Sequence, residues 1–414
     1  GLHSHYQIEG LAAEWNFPSR SNYEDQLTEI DNLVKGTNSK NSYFYRTEKL
    51  DIQTGNDSMK YNYYGISQFS SIRNRSSSST LDKLGFRSDG TNLNLRYQNN
   101  TIIADSLFAV KYNLAESDPL KYGFSLYQTE VGLSSYKNEY ATQLAILTEG
   151  VYKDVKFTNL TLDNQTRFLN QITGLEQTYF TKLYPLSVKN ATELNNRVTV
   201  QTPENEDMPR VNYELTVPAD SQLYISIPNI SFSNQDQEIV QISVNNVSTN
   251  FTLDNTFSIF NIGYFEKGQN LNVVIRFPYN SQVSFDQPQF YHLDTRAYQA
   301  AMGIIKSQKV EVKTYQNMVE ANYNATKESS LLFTLPYDKG WSASLNGKPI
   351  KIRRAQHGFM KIDVPKGQGT VVLTFVPQGF WTGLLSSLAG IILFFLYSLF
   401  KQRRKLTLSR FINT

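Results

Sequence analysis

The spacing of apolar residues changes along this chain, and each spacing predicts its own kind of element. Near the N-terminus Tyr23, Leu27, Ile30 and Val34 recur at three- and four-residue intervals, the single buried stripe of a helix. Ser21-Asn-Tyr-Glu24 opens it as a capping box, the Ser and Glu side chains satisfying the first free backbone N–H groups. Gly36 is the expected left-handed cap at its end. From Tyr43 the pattern shortens to strands, with aromatic and β-branched residues between turn clusters at 43–50, 93–98, 101–104 and 107–112. Helical spacing returns over Gln165 to Leu183 through Phe168, Leu169, Ile172, Leu175, Tyr179, Phe180 and Leu183. Gly174 inside that run weakens it by about 1 kcal/mol.

From Val198 almost every segment reads as a strand bounded by turn residues: 213–217, 223–227, 239–244, 256–264 and 271–277, the spacing of a β-sandwich. One helix interrupts them, capped by Asp294 and carrying Ala297, Ala300, Ala301, Ile304 and Ile305. A second β unit follows from Val310. Trp341, Ala343 and Leu345 alternate with Ser342 and Ser344, Asn346-Gly347 signals a hairpin, and Ile350 and Ile352 return. Met360, Ile362 and Val364 then Val371, Leu373 and Phe375 complete its sheet.

The last pattern is an uncharged stretch of about twenty residues, Phe380 to Phe400, long enough to cross a bilayer as a helix. Lys401-Gln-Arg-Arg-Lys405 follows at once, and the positive-inside rule expects this tail in the cytoplasm and the bulk of the chain on the other face. The fold class expected is α+β: a connector (1–20), a mixed α/β domain (21–185), a jelly-roll-like β-sandwich (186–295) and a linking helix (296–307). A second β unit (308–378), one transmembrane helix (379–400) and a basic tail (401–414) complete it. So short a connection from the β unit to the anchor seats that unit on the bilayer surface.

Composition agrees once the anchor is set aside. Five of the 40 Lys and Arg lie in the tail, leaving 35 against 37 Asp and Glu, so the expected outer part is near neutral and has no nucleic-acid partner. With no Cys, a disulfide framework, a thiolate metal site and a Cys nucleophile are all excluded. A cysteine-free exported chain points to a bacterial, Gram-positive surface. Gly1 is not an initiator Met and no signal peptide opens the chain, which suggests a fragment carried across by upstream spans.

No HExxH, GxSxG, Walker A, GxGxxG or EF-hand motif appears, and the four His are scattered at 3, 5, 292 and 357. Glu204-Asn-Glu206-Asp207, between Pro203 and Pro209, reads as a solvated loop ahead of a divalent-metal site. Tyr61-Asn-Tyr-Tyr-Gly65-Ile-Ser-Gln-Phe69-Ser-Ser71 followed by Arg73 combines flat rings, amides, hydroxyls and a cation, the mixture a sugar-phosphate site uses. Tyr64, Gln68 and Arg73 are its candidate substrate contacts, against the alternative that the tyrosines pack a half-buried strand. Trp341 reads as core rather than a sugar platform, and His357 as part of a turn.

Leu335-Pro-Tyr-Asp338-Lys-Gly-Trp341, Leu345-Asn-Gly-Lys348 and Gly358-Phe-Met ahead of a last membrane helix resemble the end of YfhO-family bacterial membrane proteins. Phe44-Tyr-Arg46, Tyr64 to Ser71, Asp105 to Tyr112 and Tyr136-Lys-Asn-Glu-Tyr140 look like the family's extracytoplasmic blocks, in its order. The resemblance implies a multispanning GT-C type glycosyltransferase that moves a sugar from a polyprenyl-phosphate donor to a cell-envelope glycopolymer such as teichoic acid. Its catalytic carboxylate is expected in an early outer loop, so no catalytic residue, metal or cofactor is assigned to this chain. The role left to it is positioning of donor or acceptor. A tethered carbohydrate-binding or adhesive module without chemistry is the alternative from the residues alone.

Overall fold

The computed structural model describes residues 27–38, 45–50, 75–88, 95–96, 100–252, 259–315, 317–377 and 379–412. The chain is strand-rich, an α+β fold with β-sandwich units and one C-terminal apolar helix.

The helix Leu27–Asn38 buries Ile30, Leu33 and Val34 against Leu114 and Leu133 of a small sheet. Gly36 lies within it instead of capping it, and the helix runs on to Asn38; the capping box and Tyr23 fall outside the described residues. The sheet has the order Arg46–Lys49, Val110–Ala115, Leu133–Asn138, Phe124–Glu130, its first pair parallel and the others antiparallel.

Two expectations change here. The stretch 101–104 is not a strand. Thr101 caps the helix Ile102–Leu107, its side chain accepting from the Ala104 N–H, and all six helix residues are buried. Its polar residues Asp105 and Ser106 are buried too, paired with Lys121 and Tyr298, so no solvent-facing side marks a helical period. The helix expected over 165–183 spans Thr161–Thr173 instead. Gly174 ends it at φ 72°, donating its N–H to the Asn170 carbonyl, and Phe180–Leu183 is a strand. Glycine reaches that left-handed conformation without a Cβ clash, so the local stop signal outweighs the apolar residues beyond it.

The sandwich closes around one core drawn from three sheets. One sheet has the order Ile259–Phe265, Ser221–Ser226, Gln289–Asp294, Phe180–Leu183, and opposite it Ile239–Val244, Asn270–Arg276 and Arg210–Thr216 pair side by side. The first of these sheets is buried on both faces. Leu223 and Ile225 enter the sandwich core, while Tyr224 between them enters the helical core with Leu293 and Ile259. Ser221–Ser226 is therefore buried at five consecutive positions instead of alternating. The Tyr224 hydroxyl accepts the Ile102 N–H at 3.0 Å and ties the units together. The helix Thr295–Ser307 starts at Asp294, whose carboxylate accepts the Arg296 N–H as expected.

The second β unit packs a five-stranded sheet against a four-stranded one. Met318–Ala325 alternates half-buried and buried throughout, its buried side feeding Val319, Ala321 and Tyr323 into the core with Val371 and Leu373. The four-stranded sheet takes Ala145–Leu147 as an edge strand against Ser329–Pro336, so the N-terminal region completes the C-terminal core. Asn346 and Gly347 sit at φ 51° and 81°, the hairpin turn the sequence predicts. Four residues after Gly367–Phe375 the helix Phe380–Ile412 begins. Its segment Phe380–Gln402 is long and apolar enough to cross a membrane and is not buried by any of the described residues.

Candidate functional site

Tyr64, Gln68 and Arg73, with the rest of the aromatic segment 61–71, lie outside the described residues. A different set of side chains converges at the base of the second β unit. Trp341 is paired with Phe375, and the Val376 N–H donates to the Gly340 carbonyl at 2.9 Å, so this end of the sheet is where the apolar helix leaves. Lys348–Ile350 runs antiparallel to Trp341–Leu345 with Ala343 opposite Ile350. The chain after Ile350 therefore returns toward that same end, where Lys351-Ile-Arg-Arg354 crosses to the other sheet and pairs Arg353 with Lys361.

The crossing lines an open cleft of about 580 Å³, lined also by Tyr152, Lys153, Asp154, Tyr337, Lys361 and Asp363. Buried Gln356, at φ 53°, fixes its walls. The Gln356 N–H donates to Asp154 at 2.9 Å and its Nε2 to the Val155 carbonyl at 2.8 Å. Its Oε1 accepts from the Tyr152 hydroxyl at 2.6 Å and the Val155 N–H at 2.7 Å, and its own carbonyl accepts from Thr80 at 2.7 Å. Left-handed backbone in a non-glycine residue is uncommon and persists where its surroundings over-determine it, as five hydrogen bonds do here. Burial, and then the Asp154 charge, push Tyr152 above the usual phenol range, so it stays a protonated donor.

The cleft is cationic. Five Lys and Arg side chains line it against two carboxylates. Both carboxylates are engaged: Asp154 by Gln356, and Asp363 by Lys361 at 3.0 Å, Ser330 at 2.6 Å and Arg353 at 3.7 Å. Lys153, Lys351 and Arg354 form no ion pair among the described residues. Arg354 lies 4.2 Å over the Tyr337 ring. Stacking fixes the guanidinium plane and leaves its edge donors for an anion with paired oxygens, a phosphate or carboxylate. As arranged, the cleft carries an excess of cationic side chains over carboxylates.

The other sequence candidates stay apart from it chemically. Trp341 packs on Phe375 at 5.1 Å, as core, and its buried Nε1 has no partner among the described residues. Glu206 pairs with Arg210 at 3.1 Å, and His357 is exposed on a turn at φ 62°. Among the described residues no three His, Asp or Glu side chains converge as a metal site. Sequence reading passed over the cleft because Ile350 and Ile352 read as the apolar positions of a strand returning from the hairpin. The available signal was three cations in four residues with no acidic neighbour.

A family model described as bacterial membrane protein YfhO matches residues 1–387. The chain is 23% identical over 392 residues to the uncharacterized protein YfhO of Bacillus subtilis (strain 168), covering 86% of this chain and 43% of that protein. It thus spans under half the length of that relative. Among solved structures, mycobacterial arabinofuranosyltransferase AftD overlaps 70% of this chain and 31% of its own at 8% identity and a TM-score of 0.15. A glycosylation-associated Gap123 complex from Streptococcus agalactiae overlaps 35% and 30% at 10% identity and a TM-score of 0.20. Overlaps that low define neither a common fold nor a common activity.

Proposed function

The chain belongs to the YfhO family of bacterial membrane proteins, and from that premise we propose that it is the extracytoplasmic part of a multispanning GT-C type glycosyltransferase. In this reading the whole protein moves a sugar from a polyprenyl-phosphate donor to a cell-envelope glycopolymer such as teichoic acid. This chain positions the substrates, and the catalytic carboxylate belongs to an early outer loop of the whole protein. The carrying observation is the cationic cleft at the end of the sheet from which the apolar helix leaves. A lipid phosphate is held at the bilayer surface by its own chain, so a site for it belongs at that level. Lys351, Arg354 and Lys153 supply the charge, and Arg354 supplies the fork. Tyr64, Gln68 and Arg73 remain proposed sugar contacts.

The test is sugar transfer by membranes carrying the full-length parent, with radiolabelled polyprenyl-phosphate sugar and purified envelope polymer. Transfer that falls at least about tenfold on Lys351→Glu with Arg354→Glu, the loss of roughly one charge-assisted contact, supports the reading. Unchanged transfer removes the cleft from it. Alanine at Tyr64, Gln68 and Arg73 tests the second segment in the same assay. No transfer from any membranes, with polymer still bound, would leave a tethered binding module.

A further inference from the structure

On another part of the molecule, Tyr122, Tyr140 and Tyr264 meet from three separate segments. Tyr122 and Tyr140 stack at 5.8 Å with 22° between their planes, and Tyr264 lies 5.1 Å from Tyr122. All three are half-buried, and beneath them the fully buried Tyr298 takes edge contacts from Tyr122 at 6.1 Å and Tyr140 at 5.2 Å. Two exposed polar side chains stand at the rim, beside the exposed Leu120: the Gln299 amide donates to the Tyr122 hydroxyl, and the Lys306 ammonium sits 4.9 Å over the Tyr140 ring.

We propose that Tyr122, Tyr140 and Tyr264 form a carbohydrate-binding surface that a glycan chain contacts through the C–H groups of its pyranose rings, with Gln299 and Lys306 as donors to their hydroxyls. Sugar rings offer an apolar C–H face and a fringe of hydroxyls. They therefore fit aromatic surface interleaved with amide, phenol and ammonium groups, where a lipid chain would leave those donors without partners. Burial raises the Tyr140 and Tyr264 phenols above their usual range, so both remain neutral donors.

This surface is held in place by groups that packing alone does not need. Buried Gln222 accepts the Tyr122 N–H at 2.8 Å and donates to the Leu120 carbonyl at 3.0 Å. Buried Asn261 donates to the Pro119 carbonyl at 3.0 Å, and the Tyr264 N–H donates to Leu120 at 2.6 Å. This clamp holds Leu120 at φ 51°, a left-handed conformation that a bulky residue seldom adopts. Gly123, at φ 88°, leaves room for the Tyr140 ring, which a Cβ there would meet at 2.5 Å. Backbone strain maintained by buried amides, next to half-exposed rings, is the pattern of a preorganised binding surface.

The proposal is independent of the transferase reading and of the cationic cleft. It is tested on the detergent-solubilised whole chain by saturation-transfer NMR with short oligosaccharides of glucose, galactose and N-acetylglucosamine. The expected result is saturation of ring C–H protons in at least one, weakened about tenfold in Tyr122→Ala and in Tyr264→Ala, the worth of one ring contact. Tyr122→Phe and Tyr264→Phe keep the ring and should keep most of the binding. Gln299→Ala and Lys306→Ala, at exposed positions, should weaken it without touching the core. No saturation of any of the three sugars, or saturation unchanged in the two alanine variants and in Gln299→Ala, would overturn it. Sugar transfer by the cleft variants is read separately, so failure of one idea leaves the other standing.

Discussion

Arg46 shows how much a single residue can hold together. Its side chain is 2% exposed and donates to the Phe108 carbonyl at 2.6 Å, the Thr334 hydroxyl at 3.2 Å and the Thr334 carbonyl at 2.8 Å, joining the first sheet to the second β unit. Burial lowers its pKa to about 9, with Glu48 pulling it back, so it stays charged at neutral pH. Arg46→Ala strands three acceptors and should cost about 3–5 kcal/mol, the usual loss on breaking a buried charged network; Arg46→Lys keeps charge without the fork and should recover part of it. Thermal unfolding of the two variants reads both. His292 sets an acid sensitivity. Its half-buried ring has a pKa below the ordinary 6.5 because burial disfavours the cation, and its Nδ1 has no partner among the described residues. Above that value both folded and unfolded chains carry a neutral ring. As pH falls below it the unfolded chain binds a proton first, so stability drops with acidification. His292→Gln should reduce the fall in Tm between pH 7 and 5, and an unchanged fall would assign the effect elsewhere. Neither role was legible in sequence: the Thr334 partner of Arg46 is 288 positions away, and a lone His carries no sign of its burial.

At the scale of elements, sequence and structure agree wherever a local signal is decisive. Ile239–Val244, the Asn346-Gly347 hairpin and the Asp294 cap stand where the pattern puts them. They differ where tertiary contacts decide. Ile102–Leu107 is a helix because its apolar sides all find partners in the core that also takes Tyr224 and Phe359. In the sequence Gly174 reads as a weak interior glycine, yet it is the terminator. Its φ of 72° makes the prediction specific: Gly174→Ala should cost about 1 kcal/mol, and Gly174→Asn less, because Asn tolerates the left-handed region better. A Cβ there would also approach the Glu149 side chain at 3.3 Å, so the alanine has little room to relax. Equal Tm in wild type and Gly174→Ala would mean that the strand pairing of Phe180–Leu183, and not the cap, ends the helix. The same reasoning covers Ala145–Leu147, three residues that look too short for a strand. They are one because Ser329–Pro336 offers an open edge, and an edge is a property of the partner that no local pattern reports.

Across the whole molecule the charges are distributed so that the cleft stands out. The expected outer part carries 35 cations against 37 anions, while the cleft alone gathers five cations and two carboxylates. Its attraction for an anion should therefore be local and salt-sensitive, since exposed charges are screened over about 8 Å at physiological ionic strength. Binding of polyprenyl phosphate in mixed micelles should weaken as salt rises, and Lys351→Glu with Arg354→Glu should remove both the binding and its salt dependence. That reading requires the cleft to face away from the cytoplasm, as the basic cluster after Phe400 implies. These 414 residues contain no cysteine, so within them an introduced thiol is the sole one, and labelling is read against the unsubstituted parent. Lys366 sits on the exposed turn before Gly367–Phe375, at the end of that strand away from the apolar helix, and Ser409 lies beyond the basic cluster. In intact cells a membrane-impermeant maleimide should label Lys366→Cys, and Ser409→Cys only after permeabilisation. The reverse pattern would put the cleft on the cytoplasmic side, where a donor presented to an outer envelope polymer could not reach it, and the transferase reading would fall with the topology.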